Sequence, residues 1–342
     1  MSVFFNFFIK IFSFFAAITL FFIFIGLLLN LSSYHDKEIG QFSFQEGEID
    51  SKNKIILLKL FGPILNQPMD LVEFNLISDF RAIYLDEFSK LLEKIKNENP
   101  KGLIISIDSP GGSVSATYSL FKKIKNFKRE NNVKVYLHTN ELLASGGYWF
   151  ALASDKIYAS YGAMIGSIGV KGPEWIYFDN PVSISSGILG QSIETTKGIK
   201  KYNTIAGTSK DLFDPFRPPT INEIQSLQEM VNEIYVDFVN SVSKERKLEI
   251  NYIKEDLGAL IFSAKKAKNN FLIDDVKNLE EVKKSLISNL KLKDYKIIEY
   301  ERKSGLLKNF FISSLLFKYD SNLLEKNRIC NLISSSINVI FL

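Results

Sequence analysis

From Val3 to Leu31 the chain carries a single charge, Lys10, and Ser13, Thr19 and Gly26 are the only interruptions in the apolar run Ile11 to Leu29. At ~1.5 Å per residue such a run matches a bilayer core of ~30 Å. A cleaved signal peptide also opens on a basic residue and an apolar stretch, but its apolar region is ~7–15 residues long and ends at a small-x-small site. The run here is longer, and Leu-Asn-Leu-Ser-Ser-Tyr is no such site. The pattern therefore predicts an uncleaved, single-pass anchor over 1–31. Lys10 before it and Lys37 after it tie the positive-inside count. The simpler topology leaves a short leader inside and the bulk of the chain outside.

Residues 32–52 are polar and acidic (Asp36, Glu38, Glu46, Glu48, Asp50) and read as a spacer. Beyond them the hydrophobic period alternates. Ile55–Phe61, Leu103–Ile107 and Val133–Leu137 are short β-branched runs. Between them, Leu85, Phe88, Leu91, Leu92 and Ile95 share one helical face ahead of Pro100, and Ser115–Phe127 predicts a second helix. Gly146–Ala153 predicts a third, and Ile157–Ala159 and Met164–Val170 read as extended. Thr220 and Glu223 have capping-box spacing at the head of a helix whose stripe runs through Ile224, Leu227, Val231, Ile234, Phe238 and Val242. Strands and helices in alternation, with continuously apolar strands, predict an α/β domain with a parallel core over 53–294. Residues 295–342 read as a tail, mixed apolar and basic after Gly305. It contains no run of ~18 uncharged apolar residues and suggests a packing or interfacial helix.

Composition then removes chemistries. Among 342 residues there is one cysteine, Cys330, so neither an internal disulfide nor a multi-cysteine metal site can form. The two histidines, His35 and His138, form no metal motif. Forty-two basic against 38 acidic residues, with no basic block, do not describe a nucleic-acid binder. No cofactor loop of the GxxxxGK or GxGxxG kind occurs.

What remains is three glycine clusters at element ends. Ser109-Pro110-Gly111-Gly112-Ser113 follows a strand and precedes a helix. Its adjacent glycines could turn bare backbone N–H groups toward an oxyanion, or could simply make a tight turn before a cap at Ser113 or Ser115. Ala144-Ser145-Gly146-Gly147-Tyr148 opens a helix, where a serine is either a nucleophile or, far more commonly, an N-cap. Gly166-Ser167-Ile168-Gly169-Val170 reads equally as a buried glycine-rich strand. A serine nucleophile needs a base. No histidine follows His138, which sits in a predicted strand as an ordinary partly buried residue, so lysine is the practical alternative. Composition does not choose among the lysines; Lys210, in Gly207-Thr208-Ser209-Lys210-Asp211 ahead of three prolines, has a distinctive setting.

In series, these four motifs resemble the signal peptide peptidase A (protease IV) family over about Lys54 to Val276. The resemblance implies a ClpP/crotonase-like fold and a serine–lysine dyad that cleaves peptides left in the inner membrane after signal-peptide processing. It implies Ser145 as nucleophile, Lys210 as general base, the amides of Gly112 and Gly146 as oxyanion hole, and Ser167 as the residue orienting the lysine. It also implies a homo-oligomer in which neighbouring copies share sites, as in the short form of the family. The stretch Glu174–Tyr202 is longer than in short members, so the choice of Lys210 over Lys200 or Lys201 rests on the Gly-x-x-Lys-Asp context. The family pattern has glycine where Phe271 stands. Rival readings are a SohB-type peptidase with other substrates, a crotonase-like acyl-CoA enzyme, and a catalytically silent membrane scaffold.

Overall fold

The computed structural model describes residues 2–35, 40–67, 82–185 and 192–301. The tail expected to pack or lie at an interface, beyond Gly305, falls outside them. The described residues divide into two units, one being Phe44–Glu299 and the other including α1. In the latter, α1 (Ser2–His35) is one helix. Its stretch Phe5–Phe24 is long and apolar enough to cross a membrane, and none of it is buried in the protein.

The rest of the chain alternates as the periodicity predicts. In order come β1 (Gln41–Gly47), β2 (Lys54–Phe61), β3 (Ile64–Leu65), β4 (Ile83–Tyr84), α2 (Leu85–Asn97), β5 (Gly102–Asp108), α3 (Val114–Asn131) and β6 (Lys134–Thr139). There follow β7 (Leu142–Ala144), α4 (Gly146–Ala151), β8 (Lys156–Ala159), β9 (Met164–Gly166), β10 (Ser183–Ser185) and β11 (Ser192–Glu194). The last are α5 (Ile221–Arg246), a π-helical turn (Tyr252–Leu257), β12 (Ile261–Ser263), α6 (Ala264–Asn269), β13 (Asp275–Val276), α7 (Leu279–Leu290) and β14 (Lys296–Glu301).

The main sheet runs β1-β14-β2-β5-β6-β8-β13. From β14 to β13 every neighbouring pair is parallel. Parallel strands covered on both faces must be apolar throughout, and β5 meets that demand: Leu103, Ile104, Ile105 and Ile107 are all buried. Val282 and Leu286 of α7 pack on one face against Ile55, Leu57, Ile104, Tyr136, Tyr158 and Ile297. Elsewhere α2, α3 and α4 pack on one another, Phe88 edge-on to Phe150 and Tyr118 edge-on to Trp149. A second, smaller sheet sets β9 between β7, which is parallel to it, and β12, which is antiparallel.

Two boundaries differ from the sequence reading. β1 lies inside the stretch read as a spacer; the alternation Phe42-Ser43-Phe44 is a strand signal that the acidic residues around it obscured. β14 lies beyond 294 and pairs Lys296–Glu299 with Lys54–Leu57, because Ile297 and Ile298 complete the sheet's apolar face. The predicted capping box at Thr220 and Glu223 is present at the head of α5. The apolar stripe of α5 is buried only at its C-terminal end, at Phe238, Val239 and Val242, whereas Ile224 is 54% exposed.

Candidate active site

The three glycine clusters come together at the C-terminal ends of β5, β7 and β9, where ligands of parallel α/β sheets bind. Register brings them there. Ala144 pairs with Gly166, so Ser145 and Ser167 leave adjacent strands side by side. Ser109 lies between motifs: its amide donates to the Leu142 carbonyl (2.7 Å) and its carbonyl accepts from Ala144 (3.0 Å).

Ser145 occupies the N-cap position of α4, yet its side chain makes no capping bond. Its φ of +51° and ψ of −123° are a strained combination for a residue with a Cβ, worth roughly 1–3 kcal/mol. The neighbourhood holds it there. The Ser145 amide donates to the Gly166 carbonyl at 3.0 Å, and the Trp149 amide donates to the Ser145 carbonyl at 3.0 Å. Ser113, at the head of α3, behaves as the ordinary alternative does, accepting from the Ala116 amide. The two serines look alike in sequence and differ here: Ser113 caps its helix, and the half-buried Ser145 hydroxyl is left free.

The Gly111-Gly112 turn passes directly over Ser145. A Cβ on Gly111 would stand 2.8 Å from the Ser145 Cβ and 3.1 Å from its Oγ. Gly112 has φ +149°, and a Cβ there would lie 2.1 Å from the Ile64 carbonyl oxygen, so no other residue fits. The turn is pinned by Ile64, whose amide donates to the Gly111 carbonyl and whose carbonyl accepts from Ser113, both at 2.8 Å. Those bonds leave the Gly112 amide pointing away from β3. Among the described residues neither the Gly112 N–H nor the Gly146 N–H has a protein acceptor. The Gly112 nitrogen would lie 3.3 Å from a Cβ on Gly146, so the two free donors are close neighbours beside the Ser145 hydroxyl. Such a pair can stabilise an oxyanion.

Ser167 follows β9 with φ +55°, its amide donating to the Leu260 carbonyl at 2.8 Å. Lys210 is elsewhere. It is exposed, and no hydrogen bond or ion pair joins its ammonium to any described residue. Its loop is nevertheless fixed. Arg217 donates through Nε and Nη2 to Asp211 (2.8 and 2.7 Å) and through Nη1 and Nη2 to Glu223 (2.9 and 2.7 Å). The guanidinium lies over the Trp175 ring, 5.3 Å from its centre. Asp214 accepts from Lys201 and Asn203, and its carbonyl accepts from the Trp175 indole. These bonds hold the Asp211 and Glu223 carboxyls below the usual carboxylate range, Arg217 being the largest cause for both.

The Lys210 loop and the helix that Ser145 opens thus attach to α5 at different points. Glu223, in its first turn, holds the lysine loop. Phe238 stacks face-to-face on Trp149 of α4, ring centres 4.6 Å apart, one turn from Ser145. The helix rises ~22 Å between Glu223 and Phe238.

His138 is buried in β6, 22 residues before Ser160 in sequence, with Nε2 3.1 Å from the Ser160 hydroxyl and 3.2 Å from the Lys277 carbonyl. A carbonyl only accepts, so Nε2 carries the proton. Burial lowers the pKa below the ordinary histidine value. No bond links it to Ser145. Sequence reasoning passed over Asp108, whose Oδ1 accepts from the Thr139 hydroxyl (2.7 Å) and the amides of Asn140, Glu141 and Leu142 (3.0, 2.8 and 3.3 Å). One carboxylate oxygen so shapes the turn that delivers Ser145. An acid at the end of a buried strand was the available signal. Arg217 was passed over too, and its partners cannot be read from spacing.

Residues 127–293 match the model of peptidase family S49, a span holding the Ser145 helix, Ser167 and Lys210. The matched span, just under half of the chain, is similar to the peptidases of family S49. The chain is 35% identical over 173 residues to a protease-named protein of Methanocaldococcus jannaschii, 51% of each chain being covered. It is 29% identical over 239 residues to an Enterococcus faecium protein named for signal peptide peptidase SppA, covering 70% of this chain and 64% of that one. The chain therefore spans between half and two thirds of the length of these relatives. Among solved structures it is similar to a Pyrococcus horikoshii membrane protease specific for a stomatin homolog, at 15% identity and TM-score 0.40, covering 78% of this chain and 100% of that one.

Proposed function

We propose that this chain is a membrane-anchored endopeptidase whose nucleophile is Ser145 and whose base is the Lys210 of a neighbouring copy. One observation carries the reading: the Ser145 hydroxyl is left uncapped beside two free amides, while the same chain's Lys210 ammonium is bonded to no described residue and its loop is tied to the first turn of α5. The uncovered apolar stripe on the first turns of α5, with Ile221 83% exposed beside Ile224, fits a surface that another copy covers.

In the proposed cycle the neutral amine of Lys210 takes the Ser145 hydroxyl proton as Oγ attacks the scissile carbonyl. The carbonyl oxygen becomes an oxyanion held by the Gly112 and Gly146 amides. The resulting ammonium protonates the leaving amine, the C–N bond breaks, and an acyl-serine remains. Water then gives its proton to the lysine, attacks the acyl carbon, and releases the acid as Ser145 regains its proton. Ser167, beside Ser145, is suited to orient the incoming lysine. The helix α1 supports single-pass membrane anchoring; on the simpler topology the membrane is the plasma membrane and the catalytic domain lies on its outer face. The relatives' names support peptides left by signal-peptide processing as substrates.

The test is complementation. Ser145→Ala and Lys210→Ala are each expected to be inactive alone and to recover peptide cleavage when co-assembled, because a mixed oligomer contains sites joining intact Ser145 to intact Lys210. Activity in either homogeneous variant sinks the dyad. Inactive mixed oligomers sink the shared site.

A further inference from the structure

We propose that Arg217 is a positioning residue that sets the Lys210 loop in its catalytic pose, through a latch made of Asp211, Arg217 and Glu223. The inference rests on the reading of Lys210 as the base.

The latch grips the residue that follows Lys210. Asp211, its C-terminal neighbour, receives two parallel N–H···O bonds from the guanidinium. Glu223 is itself immobile: it is 4% exposed, and its Oε2 accepts from the Thr220 amide at 2.8 Å as half of the capping box. The loop is therefore tied to the helix axis of α5.

Every donor of Arg217 is used. Nε and Nη2 serve Asp211, Nη1 and Nη2 serve Glu223, and Nη1 also reaches the Pro218 carbonyl at 3.2 Å. Trp175 closes one face of the guanidinium. A planar fork binding two carboxylates fixes angle as well as distance, which a lysine at 217 could not do. Charge points the same way. Asp211, Asp214 and Glu223 surround the loop with three negative charges, and Arg217 and Lys201 supply two positive ones. Arg217 thus offsets the carboxylate adjoining the base while it fixes the backbone. A base misplaced by about 1 Å loses on the order of a hundredfold in rate.

The experiment uses the full chain in detergent with a cleavable peptide. Arg217→Met is expected to lower kcat about 10- to 100-fold with KM within about twofold, since peptide contacts are unaffected. Arg217→Lys keeps the charge and is expected not to restore kcat. Should Arg217→Met fail to fold, Asp211→Asn, which leaves the Arg217–Glu223 pair and the cap intact, is expected to lower kcat in the same way. Complementation places the defect. Arg217→Met co-assembled with Ser145→Ala regains activity, because the partner contributes a well-held lysine; co-assembled with Lys210→Ala it does not. Wild-type kcat in Arg217→Met or Asp211→Asn, or rescue by Lys210→Ala instead of Ser145→Ala, overturns the latch. Failure of the Ser145→Ala and Lys210→Ala pair to complement overturns the shared-site reading instead, and is seen separately.

Discussion

The serine side and the lysine side of this chain are built on opposite plans. Ser145 sits where three parallel strands end, in a strained conformation fixed by backbone bonds from β9 and α4 and roofed by Gly111 and Gly112. Lys210 stands on an exposed loop, its own ammonium unpaired among the described residues, while an ion-pair latch grips the residues around it. The serine side is part of the domain core. The lysine side is an outlying platform. Damage to the first should cost folding and activity together, and damage to the second should cost activity alone.

The largest expected effect is therefore on the serine side. Gly112→Ala would drive a methyl into the Ile64 carbonyl at a φ that disfavours any Cβ, so we expect a loss of about 2–4 kcal/mol of stability together with peptidase activity. Lys210→Ala is the paired control: activity lost, with the thermal midpoint unchanged in differential scanning. An equal fall in midpoint for both would erase the contrast.

Asp108→Ala tests the support behind Ser145. Removing one carboxylate oxygen that accepts four donors should cost about 2–3 kcal/mol in chemical denaturation. Activity should fall too, because the 139–142 turn sets Ser145; a variant stable but inactive would relocate Asp108 to the chemistry.

His138 gives the serine side a pH dependence. Its pKa is lowered by burial, so the unfolded chain binds a proton at a higher pH than the folded one. Stability from this group is complete above the unfolded value of ~6.5 and drains away as pH falls toward the lower folded value. Unfolding free energies between about pH 7 and 5 should decline with acid, and less steeply in His138→Gln. A slope of the opposite sign would mean that the imidazole is charged in the fold.

The smallest effect lies away from both sides. Phe271 has φ +60° and is 64% exposed, which accounts for the glycine of the family pattern at this place. Phe271→Gly should raise stability by about 0.5–1 kcal/mol and leave kcat untouched.

Much of the serine side was legible in sequence. Continuous apolar runs gave away the parallel strands, and glycine pairs at strand ends marked the turns. Spacing could not separate Ser113 from Ser145, because both precede helices. The difference arises from β7 pairing with β9, a contact between segments some twenty residues apart, which bends Ser145 out of capping geometry. The lysine platform was least legible. Asp211, Arg217 and Glu223 look like scattered surface charges until the chain turns them onto one guanidinium.

The sequence alone determined the apolar helix at the start, the alternating parallel core, and the shortage of imidazole that makes lysine the practical base for any serine nucleophile. These follow from local period and residue inventory, which need no partner to be read. Only the tertiary structure decided which serine is free, which amides are unpaired, and that the Lys210 loop is tied to the first turn of α5 while the Ser145 helix packs on Phe238. Those are properties of long-range register and packing, where a residue's role depends on which distant backbone reaches it first.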